Sequence, residues 1–132
     1  DQAEGSLMTQ FWAPDLDTAA NKRFVDGYLG KYGRYPSFYA AQSYDTVFLI
    51  KSAVEAVNGD LKNRDGMRAA MRKANYESVR GPYKYGNNHF PIQNFYLREV
   101  VKDPDGNHTT KIVATVLKDH QDTYAKDCKM SW

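Results

Sequence analysis

The sequence has little of what marks several large classes of protein. Its 132 residues include one cysteine, Cys128, which excludes an internal disulfide and a structural zinc cage built on cysteines. No apolar run approaches the roughly 20 residues that a membrane-spanning helix needs. Neither sign of charge dominates, because 18 basic and 16 acidic side chains leave a net charge of +2. Without a basic stripe we expect no nucleic acid partner.

Signatures of catalysis are also absent. His89, His108 and His120 are scattered along the chain without the spacing of metal ligands. Cys128 has no histidine close to it in sequence, and no serine lies in a G-x-S-x-G elbow. The glycines match neither a phosphate-binding loop nor a dinucleotide fingerprint. The sequence therefore predicts no enzymatic activity, no metal site and no cofactor.

What is present is typical of one globular α/β domain, with 42% hydrophobic and 26% charged residues. Three segments in the first half have the periodicity of amphipathic helices. Their predicted limits are Asp17 or Thr18 to Gly33, Ser37 to about Val57, and Asn63 to Ala74. Strands are predicted at 5–12, at 79–86 (an edge strand broken by Gly81 and Pro82), at 91–101 and at 110–118.

The second helix is apolar on two faces. Val47, Ile50 and Val54 form one stripe, while Tyr44 and Phe48 lie one turn apart on another face. A helix of this kind is usually covered on both sides, yet no strand lies between the three helices. The sequence allows either a compact βαααβββ domain or helices that cover a sheet supplied by some other stretch of polypeptide.

Aromatic residues are abundant, with ten Tyr, six Phe and two Trp. Most follow helical or strand spacing and are expected in the core. Trp12, Phe38 and Tyr39 instead lie at the ends of predicted elements, beside Pro14 and Pro36. Aromatic rings in such places either fill a core or line a cleft and stack on a ligand. From the residues alone, both alternatives stay open.

The order of these segments resembles a known family. EGSLMTQFWAPDLDTAANKRFVDGYLGKYGRYPSFYAAQSYDTVFLIKSAV, followed by VRGPYKYGNNHFPIQNFYLREVVKDPDG, is similar to the C-terminal part of type I periplasmic binding proteins. These are the substrate-binding components of ABC transporters in the branched-chain amino acid (Leu/Ile/Val-binding) group. Family members are much longer and have two α/β lobes joined by three hinge crossovers. The resemblance implies an α/β fragment of this two-lobed fold in which the sheet of one lobe is missing.

The resemblance also implies a division of the chain. Residues 1–13 would form a strand that completes the parallel sheet of lobe 2, followed by a hinge. Residues 14–78 would be helices of lobe 1, 79–91 a hinge crossover, and 92–132 a hairpin and tail of lobe 2. The start of the second helix would face the cleft between the lobes. On that match Tyr39 is the first candidate ligand contact, followed by Phe38, Gln42 and Trp12.

The function implied is that of an extracytoplasmic, periplasmic solute-binding component with an ABC permease as its partner. Its ligand would be an amino acid or a small aromatic acid, and the many Tyr and Trp residues favour the aromatic acid. The first ten residues have no charged n-region or apolar h-region, so we expect an export signal to be absent from this chain or already removed. The alternative is a ligand-sensing domain of a receptor or regulator with the same fold. With its helix faces uncovered, the chain is expected to self-associate.

Overall fold

A computed structural model describes residues 2–130 as a mixed α/β unit. Three helices form one part, and an antiparallel sheet dominated by a long hairpin forms the other. The elements in chain order are β1 (Leu7–Gln10), α1 (Ala19–Tyr32), α2 (Phe38–Ala56), α3 (Arg64–Lys73), β2 (Lys84–Tyr85), β3 (Pro91–Lys102), β4 (His108–His120) and a 3-10 helix (Ala125–Asp127).

The helices begin at side chains that cap them. The side chains of Thr18, Ser37 and Asn63 accept hydrogen bonds from the free backbone N–H groups in the first turns of α1, α2 and α3. Helix α1 ends at Gly33, whose φ of 62° is a left-handed conformation that glycine adopts without steric cost. The predicted limits of all three helices are thereby confirmed, with Thr18 rather than Asp17 as the first cap.

The sheet is organised around β3, which pairs antiparallel with β1, β2 and β4. Within residues 2–130 the pairing of β1 is antiparallel, with β3, and the completion of a parallel sheet in lobe 2 by β1 stays a prediction. The strand predicted at 79–86 is reduced to Lys84–Tyr85. Gly81 has a φ of 82° and Pro82 has no N–H to donate, so the chain turns before it can pair.

The buried core lies between α1, the start of α2 and the segment that leaves β1. Trp12 is 1% exposed, and its ring contacts Phe24 edge to face with 6.1 Å between centroids. The Trp12 indole donates a 2.7 Å hydrogen bond to the side-chain oxygen of Asn21, which is itself fully buried. Asn21 in turn donates to the Ala13 and Leu16 carbonyls. These buried hydrogen bonds of the Asn21 side chain therefore fix the conformation of the turn between β1 and α1.

The outer face of α2 is uncovered. Val47 is 64% and Ile50 48% exposed, although both belong to the apolar stripe of this helix. Helix α3 packs on α2, but Met67 and Met71 of α3 are only half-buried, and no residue of α3 is fully buried. Part of the apolar surface of the helices therefore has no cover within residues 2–130.

We expect this uncovered face to drive self-association of the 132-residue chain. Replacing Val47 and Ile50 together with lysine should shift sedimentation-velocity profiles toward the monomer, because charged groups cannot be buried unpaired. Thr46→Lys, which adds a charge on the same helix without removing apolar surface, is the matched control and should have the smaller effect. A chain that sediments as a monomer at all concentrations before any substitution would contradict this expectation.

Candidate functional site

A row of aromatic rings runs from the first turn of α2 to the hairpin. Tyr39 stacks on Phe38 with 3.9 Å between ring centroids and an angle of 34° between planes. Phe38 contacts Phe11 edge to face at 6.1 Å, and Phe11 contacts Phe95 in the same way at 6.4 Å. Phe95 meets His120 at 5.6 Å. We call Tyr39, Phe38, Phe11, Phe95 and His120 the aromatic row; it joins the helical part of the chain to the sheet.

Tyr39 lies at the open end of this row. Its side chain is 67% exposed, whereas Phe38 is half-buried. Gln42 follows one turn later on α2 and is also exposed, so the two residues share a helix face. The structure therefore brings Tyr39, Phe38 and Gln42 together at one exposed place.

Trp12 has a different environment from the other three predicted residues. Its indole is sealed in the core and already bonded to Asn21. One edge of the ring borders a groove described below, and the neighbouring residue Phe11 is the one that enters the aromatic row. A role for Trp12 in ligand contact remains a prediction.

The aromatic row is supported by a buried ion pair that sequence reasoning missed. The Arg80 Nε donates a 2.8 Å hydrogen bond to Asp45, with the two side chains 9% and 2% exposed. Asp45 also accepts hydrogen bonds from the Ser78 hydroxyl at 2.6 Å and the Val79 amide at 3.0 Å. The Arg80 guanidinium lies 5.8 Å from the Phe11 ring centroid. Asp45 thus anchors the 78–80 segment beside the row.

Arg80 also contacts residues on both sides of this segment. Its Nη1 donates a 3.2 Å hydrogen bond to Gln93 at the start of β3, and its guanidinium lies 4.3 Å from the Tyr83 ring centroid. Burial, followed by a hydrogen bond with Tyr76, holds the pKa of Tyr83 far above its usual value. Tyr83 is therefore neutral over the physiological pH range and acts here as a packing and hydrogen-bonding group.

A groove of about 360 Å³ separates the 34–38 segment from the hairpin. Its walls on one side are Trp12, Pro14, Tyr35 and Phe38, and on the other side are strands β3 and β4. Arg98 of β3 lies in the second wall and is 6% exposed. Two hydrogen bonds cross between the two sides near the groove: the Tyr35 hydroxyl donates to Asp103 at 3.1 Å, and the Ile112 amide donates to Asp15 at 2.9 Å.

The guanidinium of Arg98 has no ion-pair partner among residues 2–130. Its Nη1 donates to the Thr110 hydroxyl at 3.2 Å, its Nη2 lies 3.1 Å from the Met8 sulfur, and its Nε is unbonded. Burial lowers the pKa of Arg98, and the charge of Asp15 opposes that shift. The hydroxyl oxygen of Thr109 is buried and unbonded too, but Thr109 pairs with Val101, so its side chain lies on the other face of the hairpin from that of Arg98.

Two kinds of feature are not found in the described part of the chain. Residues 2–130 hold no group of three or more His, Cys, Asp or Glu side chains that would bind a metal ion. None of the helices described combines the length and the apolarity needed to cross a bilayer.

Comparison with known proteins identifies the family. Residues 1–107 match the sequence model of a family described as periplasmic binding protein. The chain belongs to the periplasmic binding protein family. The type I resemblance of the sequence is confirmed, and so is the α/β class of the fold.

Individual members of the periplasmic binding protein family agree with this assignment. A solute-binding protein of an ABC transporter from R. palustris, solved in complex with benzoate, is 34% identical, with a TM-score of 0.83 over 97% of this chain and 34% of that one. A second, from Rhodopseudomonas palustris BisB5 in complex with 3,4-dihydroxybenzoic acid, is 30% identical, with a TM-score of 0.81 over 93% of this chain and 33% of that one.

A curated relative from Brucella abortus, called Leu/Ile/Val-binding protein homolog 6, is 32% identical over an alignment of 123 residues that covers 89% of this chain and 31% of that protein. The chain therefore spans about a third of the length of the relatives that it matches.

Proposed function

We propose that the chain serves in the extracytoplasmic solute-binding component of an ABC transporter. In this role it contributes one wall of a cleft that binds a small aromatic carboxylate or an amino acid, and it catalyses no reaction. The observation that carries the proposal is the Tyr39 ring, 67% exposed at the first turn of α2 and stacked on Phe38. Large exposed aromatic rings held rigid by a neighbour are suited to stack on a planar ligand.

An aromatic acid is the favoured ligand class. Two relatives at 30% identity or more are described as bound to benzoate and to 3,4-dihydroxybenzoic acid. A row of five rings ending at Tyr39 offers the flat, apolar contacts that such molecules need. An aliphatic amino acid is the second candidate ligand, because the curated relative is named for leucine, isoleucine and valine.

Closure of two lobes about a hinge is the mechanism that we propose for the whole protein. Residues 1–13 and 92–132 would belong to lobe 2, 14–78 to lobe 1, and 79–91 to a crossover between the lobes. Arg80 supports this division, because it joins Asp45 of the helical part to Gln93 of the sheet from within the crossover. A ligand that contacts both lobes stabilises the closed form, since it binds that form better than the open one.

The partner of the closed form would be an ABC permease, and the working compartment would be the periplasm. Support for both proposals comes from the family and from relatives described as solute-binding proteins of ABC transporters. A gene for a permease beside the coding gene is the expected neighbour. A histidine kinase gene in that place would instead favour a sensing role for the same fold.

Calorimetric titration of the full-length protein encoded by the gene tests the proposed function. The panel is benzoate, 4-hydroxybenzoate, 3,4-dihydroxybenzoate and leucine. We expect saturable binding at one site for at least one aromatic acid. The absence of saturable binding across the whole panel and a wider set of amino acids would reject the solute-binding role.

Tyr39→Ala should weaken binding of the preferred solute about tenfold to a hundredfold, because it removes a stacking contact together with its buried apolar area. Titration of the full-length variant measures the change. Tyr124→Ala is the matched control, since Tyr124 is 74% exposed and makes no ring contact with a member of the aromatic row. Equal affinities for the Tyr39→Ala variant and the unmodified protein would show that Tyr39 does not contribute to solute binding.

A further inference from the structure

Among residues 2–130, no acidic side chain forms an ion pair with Arg98, the buried cation in the groove beside the hairpin. Arg98 is 6% exposed, yet its guanidinium bonds a neutral hydroxyl and a sulfur and leaves Nε unbonded. Removing a charged group from water costs several kcal/mol unless another charge compensates it. Asp15 is the acidic residue whose charge acts on Arg98, but the two side chains form no ion pair. The Asp15 carboxylate instead accepts a hydrogen bond from the Ile112 amide.

The surroundings of Arg98 indicate what kind of anion would fit. Beside the guanidinium lies the Thr110 hydroxyl, which accepts a hydrogen bond from Nη1 and can itself donate one further hydrogen bond. Across the groove lie the apolar surfaces of Pro14, Pro36 and Phe38. A fully hydrated inorganic anion would gain nothing from those walls, whereas an organic carboxylate would place its charged end at Arg98 and its apolar part against them.

We propose that the groove between the 34–38 segment and the β3–β4 hairpin is a subsite for a small organic carboxylate, with Arg98 as the cation that holds it. Phe38 borders both this groove and the aromatic row, but the subsite does not depend on Tyr39. An anion seated there would face the 34–38 segment on one side and the hairpin on the other. It would thus bridge two parts of the chain that Tyr35 and Asp103 already connect.

The test uses acetate as its probe, since acetate has no ring to stack on Tyr39. Ligand-observed NMR and thermal unfolding are measured for the 132-residue chain with acetate, with benzoate, with neutral benzamide, and with sodium chloride at equal ionic strength. We expect saturable binding of acetate and benzoate accompanied by a rise in unfolding temperature. Benzamide should bind at least about tenfold more weakly, and chloride should leave the unfolding temperature unchanged.

Substitutions assign the effect to Arg98. Arg98→Met should weaken carboxylate binding about tenfold or more, and Thr110→Val, which removes only the hydroxyl beside the guanidinium, should weaken it by less. Arg23→Met is the matched control, because Arg23 is an exposed arginine of α1 paired with Glu77 outside the groove. Without added anion, Arg98→Met should unfold at a higher temperature than the unmodified chain, because an uncompensated buried charge has been replaced by an apolar side chain of similar volume.

Several results would overturn the proposal. These are carboxylate binding that Arg98→Met leaves intact, an equal response to chloride, or no saturable binding of acetate and benzoate. Binding by the 132-residue chain that disappears in the full-length protein would also overturn it, since another part of the polypeptide would then supply the carboxylate. None of these results bears on stacking at Tyr39, so failure here is distinguishable from failure of the proposed function.

Discussion

Replacing Asp45 with alanine is expected to lower the free energy of unfolding by about 3–5 kcal/mol. The carboxylate of Asp45 is 2% exposed and accepts hydrogen bonds from Ser78, from the Val79 amide and from Arg80. Its removal leaves the Arg80 guanidinium, 9% exposed, without its counter-charge and leaves a backbone N–H without an acceptor. Breaking one partner of a buried pair costs much more than the pair itself contributes.

Urea unfolding at fixed chain concentration measures this change, and a double-mutant cycle identifies its cause. If the uncompensated guanidinium is responsible, Asp45→Ala combined with Arg80→Met should be more stable than the sum of the two single effects predicts. Asp17→Ala is the control, because Asp17 is an exposed carboxylate paired with Lys22 and should change stability little. Strictly additive effects would show that Asp45 and Arg80 act independently.

Trp12→Ala is expected to cost about 3–5 kcal/mol of unfolding free energy. The indole is 1% exposed, packs against Phe24, and donates to Asn21, so its removal opens a cavity and leaves a buried amide oxygen unpaired. Tyr39→Ala provides the contrast: at 67% exposure its effect on stability should stay within about 0.5 kcal/mol. Denaturant midpoints for the two variants measure the difference.

Measuring both the stability and the solute affinity of Trp12→Ala decides the role of Trp12. A structural role predicts loss of stability for Trp12→Ala, whereas a role in ligand contact predicts loss of affinity in a chain that remains folded. A Trp12→Ala variant with unchanged stability and weakened solute binding would contradict the core assignment and support the placement of Trp12 in the cleft.

Local chemistry explains why the helices were predictable. Each helix begins at a Thr, Ser or Asn that caps it, and α1 ends at a glycine; such signals lie within a few residues of the boundary that they set. The uncovered stripe of α2 was visible in the same way, because Val47 and Ile50 follow the helical period regardless of what covers them. The exposure of these two residues agrees with the inference that the helices cover a sheet from elsewhere.

The features that the sequence did not reveal depend on contacts between distant residues. Arg80 lies 35 residues from Asp45, and no local pattern links them. Arg98 occurs in an alternating strand, where an arginine usually faces solvent, and it is buried by residues distant in sequence, among them Met8 of β1 and Thr110 of β4. The antiparallel pairing of β1 with β3 was not predictable for a related reason: strand pairing depends on the partner strand, and β3 comes from the far end of the chain.

The central claim is that the exposed Tyr39 ring forms part of a solute-binding cleft. A crystal structure of the full-length protein bound to the aromatic acid that it prefers in titration tests this claim most directly. The account predicts the solute ring within about 4.5 Å of the Tyr39 ring, between two lobes. A solute bound elsewhere, with Tyr39 still facing solvent, would contradict it.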